Sequence, residues 1–148
     1  MSVLLLLHLA AVVVWVGGMF FAYVCLRPAA VEVLEPPLRL QLWKRVFDRF
    51  FVAVWIAVAA LPLTGIAMLW KTNWAMPHYV MAMIVLGVLM IGVYVDVAVR
   101  CFGALRRAVE ETNWPAGGAA LGQIRQRVGF NLILGTLVVV IVFLGRAA

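Results

Sequence analysis

Four stretches of the chain are almost unbroken apolar runs: Val3–Leu26, Phe50–Trp70, Pro77–Val99 and Val128–Gly145. Each is close to the roughly 20 residues that a helix needs to cross the hydrocarbon core of a bilayer. Polar positions gather between the runs, in segments 27–49 and 100–127, which are too short and too basic to fold alone. The pattern predicts an all-α integral membrane four-helix bundle, with residues 1–148 forming a single transmembrane domain.

The intervening segments carry a pattern of their own. "PPLRLQLWKRVFDRFF" (36–51) opens on two prolines and sets Leu38, Leu42, Val46 and Phe50 at helical spacing, with Arg39, Lys44, Arg45, Asp48 and Arg49 opposite. It reads as an amphipathic helix leading into span two. Residues 103–127 read as two further helical extensions, broken by a turn around Asn113–Gly118 at Pro115 and the Gly117–Gly118 pair. Pro62 lies in the middle of span two with Thr64 two residues on, and marks a structural kink. Gly17, Gly18, Ala22, Gly87 and Gly92 would let helix backbones approach closely. Trp70, Trp74 and Tyr79 would form an interfacial belt.

Composition agrees with the pattern. The 148 residues are 67% hydrophobic and only 12% charged, and the mean hydropathy is +1.11. The first span has no basic segment before it, and Arg27–Pro28 is a poor cleavage site, so it reads as a retained helix rather than a signal peptide. The two cysteines, Cys25 and Cys101, read as reduced helix-end residues without a disulfide framework.

The net charge of +6 serves orientation and contact with the lipid bilayer rather than nucleic acid. Ten of the twelve basic residues fall in the first and third connections: Arg27, Arg39, Lys44, Arg45, Arg49, Arg100, Arg106, Arg107, Arg125 and Arg127. Only Lys71 and Arg146 lie at the other end. The positive-inside rule then gives an N-out/C-out bundle with its helical extensions on the cytoplasmic side. The setting that fits is a multi-pass protein of the bacterial inner (cytoplasmic) membrane.

Ionisable groups inside a membrane are costly and mark sites. Asp96 has Arg100 four residues on, which reads as an interfacial ion pair. Asn131 lies one turn inside span four and reads as an interhelical hydrogen bonder. His8 and His78 are the only histidines. Both fall near the outer end, on spans that run the same way. Bundle sites are built from side chains on facing helices, and neutral imidazole is the commonest metal ligand. His8 and His78 are therefore the candidate ligands. Met81, one turn after His78, adds a thioether, and imidazole with thioether suits copper, Cu(I) above all. Two histidines on different helices also suit haem b, with Trp15 as a wall of its pocket. The same residues would serve equally as packing.

The stretch "LHLAAVVVWVGGMFF" resembles the first helix of CopD-like membrane proteins, through an H-x-x-A-x-x-x-W-x-G-G pattern met by His8, Ala11, Trp15, Gly17 and Gly18. The layout of the whole chain is similar to the small four-helix members identified as copper resistance D. HemJ-type protoporphyrinogen oxidases share a similar first-helix histidine, which implies a haem ligand at His8. Their third helix carries a lysine shortly after a histidine. The corresponding stretch here, "MPHYVMAM", has none, which leaves His78 to supply a second ligand.

Three readings stay open at this point. One is a CopD-like protein binding copper or haem b near the outer face, in copper handling or electron transfer. Another is a haem-dependent oxidoreductase acting on a quinone or porphyrin, with a quinone or a redox partner. The third is a non-catalytic accessory subunit. The charge bias makes one direct prediction. In a chain with Cys25 and Cys101 replaced, Ser2→Cys is labelled by an impermeant thiol reagent from outside, and Asn113→Cys is not. Labelling at Asn113 alone reverses the orientation.

Overall fold

The computed structural model describes residues 1–147, so Ala148, the last residue of the expected 1–148 domain, lies outside the described residues. The described chain forms four long helices: α1 (Ser2–Val33), α2 (Pro36–Lys71), α3 (His78–Glu110) and α4 (Trp114–Ala147). All four are long and apolar enough to cross a membrane. With no water in the hydrocarbon, a helix is the element that satisfies every backbone group within its own segment. The protein is an all-α, multi-pass membrane protein in contact with the bilayer.

The connections are short, and each break has a local cause. Glu35 precedes Pro36 and is held extended (ψ 153°), because a following proline disfavours helical backbone. Pro36 and Pro37 then occupy the first turn, where no backbone donor is needed. Asn73, Trp74 and Thr112 take positive φ at the two other breaks. At the second of these, Asn113 N–H donates to the Ala108 carbonyl at 2.8 Å, closing α3, while its side-chain oxygen accepts from Ala116 N–H at 3.2 Å. One residue therefore ends a helix and caps the next.

Three details differ from the sequence pattern. The third connection turns at Glu111–Asn113, and Pro115, Gly117 and Gly118 lie inside α4. A proline in the first turn is no breaker. Gly117 instead permits close approach, since a Cβ there would sit 2.9 Å from Leu40 Cδ1. Helix α1 also continues past Arg27–Pro28 to Val33. It does so through widened, π-helical turns at Val13–Gly17 and Phe21–Leu26, the second of which re-routes the hydrogen-bond ladder just ahead of the proline. Of the small residues expected at interfaces, Gly18 meets Phe50, whereas Gly17, Gly87 and Gly92 face open space.

The packed face of α2 is the largest correction. Leu38 is exposed, and Leu42, Val46 and Phe50 are half-buried. The buried line is Leu40, Trp43, Phe47, Phe51, Val54 and Val58, one residue round the helix. The aromatic residues decide it, because they remove the most surface and stack on one another. Phe47 lies between Trp43 and Phe51, with ring centroids 5.1 Å away on each side. Phe102 of α3 meets Phe51 edge-on at 5.2 Å. Tyr94 closes the column against Phe51, Trp55 and Trp15, and its hydroxyl donates to the Phe51 carbonyl at 3.1 Å.

Helix α1 lies along α2, and α3 lies along α4. The aromatic column joins the two pairs in the half nearer the arginine-rich connections. Polar contacts tie the same half. Asp96 accepts from Arg100 Nε at 2.9 Å and from Arg127 Nε of α4 at 2.6 Å. Asp48 of α2 pairs with Lys44 at 2.9 Å and with Arg106 of α3 at 3.2 Å. Asn131 Nδ2 donates to the Met90 carbonyl at 3.1 Å, the interhelical bond expected of it.

Phe47→Ala removes a ring from this buried column and is expected to cost about 3–5 kcal/mol, read as a lower thermal midpoint in detergent. Leu38→Ala, on the exposed side, leaves the midpoint unchanged. Asp96→Asn and Arg127→Gln each cost about 1 kcal/mol, and the double variant is no worse than the more damaging single one, since both remove the same bridge. Additive losses would show that the α3–α4 pair contributes nothing as a pair.

Candidate functional site

His8 lies in the second turn of α1 and is half-buried. The helix rise puts it about 9 Å from the start of α1, and puts Thr64 about 10 Å from the end of the antiparallel α2. The two residues meet at equal depth, with His8 Nδ1 2.8 Å from Thr64 Oγ1. Thr64 is a buried polar residue, 7% exposed. Its hydroxyl donates back to the helix, with Oγ1 2.7 Å from the Ala60 carbonyl oxygen and 3.1 Å from that of Leu61. The imidazole lies over Gly65, where a Cβ would stand 3.8 Å from its Cε1.

The residues following His8 at helical spacing point into the bundle. Ala11 is 7% exposed and Trp15 is 3% exposed. Trp15 occupies the first widened turn of α1 and meets Tyr94 edge-on, with ring centroids 5.9 Å apart. It is thus part of the aromatic column, and it fills the bundle on the inner side of His8. Gly18 continues the line against Phe50.

His78 opens α3, is exposed, and has no hydrogen-bond partner among the described residues. Met81, one turn on, is 48% exposed, and Met76 in the preceding connection is 41% exposed. The structure therefore joins His8 to Thr64 and Trp15 to Tyr94, and leaves His78 and Met81 on the surface of the same end. Among the described residues no group of three or more His, Cys, Asp or Glu side chains converges to hold a metal. Cys25 and Cys101 are both free thiols.

Thr64 is the residue that sequence reasoning passed over. It stands beside the Pro62 kink, while the pattern of the chain matches His8 with His78 and Met81. The signal was available in the equal depth of the two residues on adjacent antiparallel spans. A hydroxyl is as good a partner as a charge for one ring nitrogen, and it carries no desolvation penalty of an ion.

Comparison with known families adds one finding. The profile of CopD, copper resistance protein D, matches residues 44–144. The match begins after the His8 helix, so it rests on α2, α3 and α4, independently of the first-helix pattern. No curated protein and no solved structure matches the chain. Since the profile spans roughly two thirds of the chain, the protein belongs to the CopD, copper resistance protein D, family.

Proposed function

We propose that this CopD-family chain is a protein of the bacterial cytoplasmic membrane that handles copper at its outer end, taking the ion through His8. The observation that carries this reading is the half-buried imidazole at membrane depth, its Nδ1 2.8 Å from Thr64 Oγ1 and its ring beside the Leu61 backbone. An imidazole held through one ring nitrogen can offer the other to a ligand. Copper is written here as cargo. Other donors at the same end of the bundle are an exposed imidazole, His78, and exposed thioethers, Met81 and Met76, a set that suits Cu(I) rather than a hard cation. Exposed donors at the mouth can accept an incoming ion, and His8 can receive it within the membrane. The charge bias that places the arginine-rich connections in the cytoplasm puts this mouth outside.

The purified protein in detergent, loaded with Cu(I), is expected to be colourless and to retain the metal by elemental analysis. His8→Ala abolishes retention, and His78→Ala weakens it. Full occupancy in both variants defeats the reading. A Soret band in the protein as isolated, lost in His8→Ala, would replace copper by haem b at the same residue.

A further inference from the structure

A threonine hydroxyl has one hydrogen to give and two lone pairs to receive with. Thr64 Oγ1 stands 2.7 Å from the Ala60 carbonyl oxygen and 3.1 Å from that of Leu61. Both of these are acceptors only. Were the hydroxyl hydrogen aimed at the imidazole instead, Oγ1 would face the Ala60 oxygen at 2.7 Å with lone pair against lone pair. The hydrogen therefore goes to the carbonyls. The remaining contact, 2.8 Å from Oγ1 to His8 Nδ1, must then be supplied by the ring: Nδ1–H donates and Oγ1 accepts. A neutral imidazole protonated at Nδ1 carries its free lone pair on Nε2.

We propose that Thr64 is a positioning residue that locks neutral His8 as the Nδ1–H tautomer and so makes Nε2 the donor atom offered at the outer end. The backbone supports the lock. The two carbonyls belong to the same helix as Thr64, at the turn containing Pro62, so the hydroxyl direction is set within α2 before α1 packs on it. The arrangement is the familiar one in which the second nitrogen of a metal-binding histidine is held by a hydrogen bond that fixes tautomer and ring orientation, here with a hydroxyl whose own hydrogen is already given to the helix backbone. The ligand rests on the copper reading; the tautomer does not.

The test separates the two. In protein labelled with 15N at histidine and held in detergent micelles, long-range proton–nitrogen correlation reads which ring nitrogen carries the hydrogen. His8 is expected as Nδ1–H. Exposed His78 serves as the internal reference and is expected to favour Nε2–H, the form preferred by unconstrained histidine in water. Thr64→Val, similar in shape and without a hydroxyl, releases His8 from Nδ1–H, and Thr64→Ser restores it. An Nε2–H tautomer at His8 in the unaltered chain overturns the proposal on its own, even if Thr64→Val does not fold. So does an unchanged tautomer in a folded Thr64→Val. The affinity for Cu(I), measured by competition with a chelator, is expected to fall 10–100-fold in Thr64→Val and to recover in Thr64→Ser. A changed tautomer with unchanged affinity defeats the positioning role. An Nδ1–H tautomer in a chain that takes up no Cu(I) upholds the lock and defeats the copper reading alone.

Discussion

Hydrocarbon offers no hydrogen bonds, and this structure is organised around that lack. The backbone meets it by staying helical almost throughout, continuing through Pro28 by way of a widened turn and through Pro62 without a break. The few polar side chains meet it in pairs. Asp96 joins α3 to α4 through Arg127, Asn131 donates to the Met90 carbonyl, Tyr94 donates to the Phe51 carbonyl, and His8 shares a hydrogen bond with Thr64. Each pairing crosses between helices, so each also decides which helices are neighbours.

The two halves of the bundle are built differently. Near the arginine-rich connections, the Trp43–Phe47–Phe51 stack, Phe102 and Tyr94 form a dense aromatic core, fastened at its rim by the Asp48 and Asp96 ion pairs. Toward the other end, buried residues thin out to Ala11 and Thr64, and Leu63, Ile66, Val85, Phe143 and Leu144 are exposed to the lipid side. His8 sits in this sparser half. A rigid base with a looser mouth would suit the copper-handling role proposed above, in which an ion is admitted at one end and the imidazole is held still. Trp15 connects the two, as part of the same helix line as His8 and as part of the aromatic column.

Much of the architecture was legible in residue order. Four apolar runs of spanning length mean four helices in a bilayer, because no other local structure satisfies the backbone there. The Asp96–Arg100 pair and the interhelical role of Asn131 followed from position alone. The candidate site was legible in part: a histidine in an apolar run announces itself, and His8 proved to be the one with a buried partner. Its partner was less visible, because a lone threonine in a helix is common and its meaning depends on what stands opposite. The face of α2 was misjudged for a related reason. Two lines of apolar residues, one residue apart, run along 38–51, and periodicity cannot choose between them.

What residue order could establish, then, were the properties that arise within one helix or from totals: span lengths, the charge bias, the break at Pro36 and the presence of an ionisable group at depth. What awaited the folded chain were the relations between helices. The choice of the Leu40–Trp43–Phe47–Phe51 line depends on the Phe102 and Tyr94 rings brought to it by α3. The meeting of His8 with Thr64 depends on α1 lying along α2 in register. Both are contacts between residues far apart in sequence, set by the packing of large side chains against one another, and a single strand of letters carries the pieces of such contacts without their pairing.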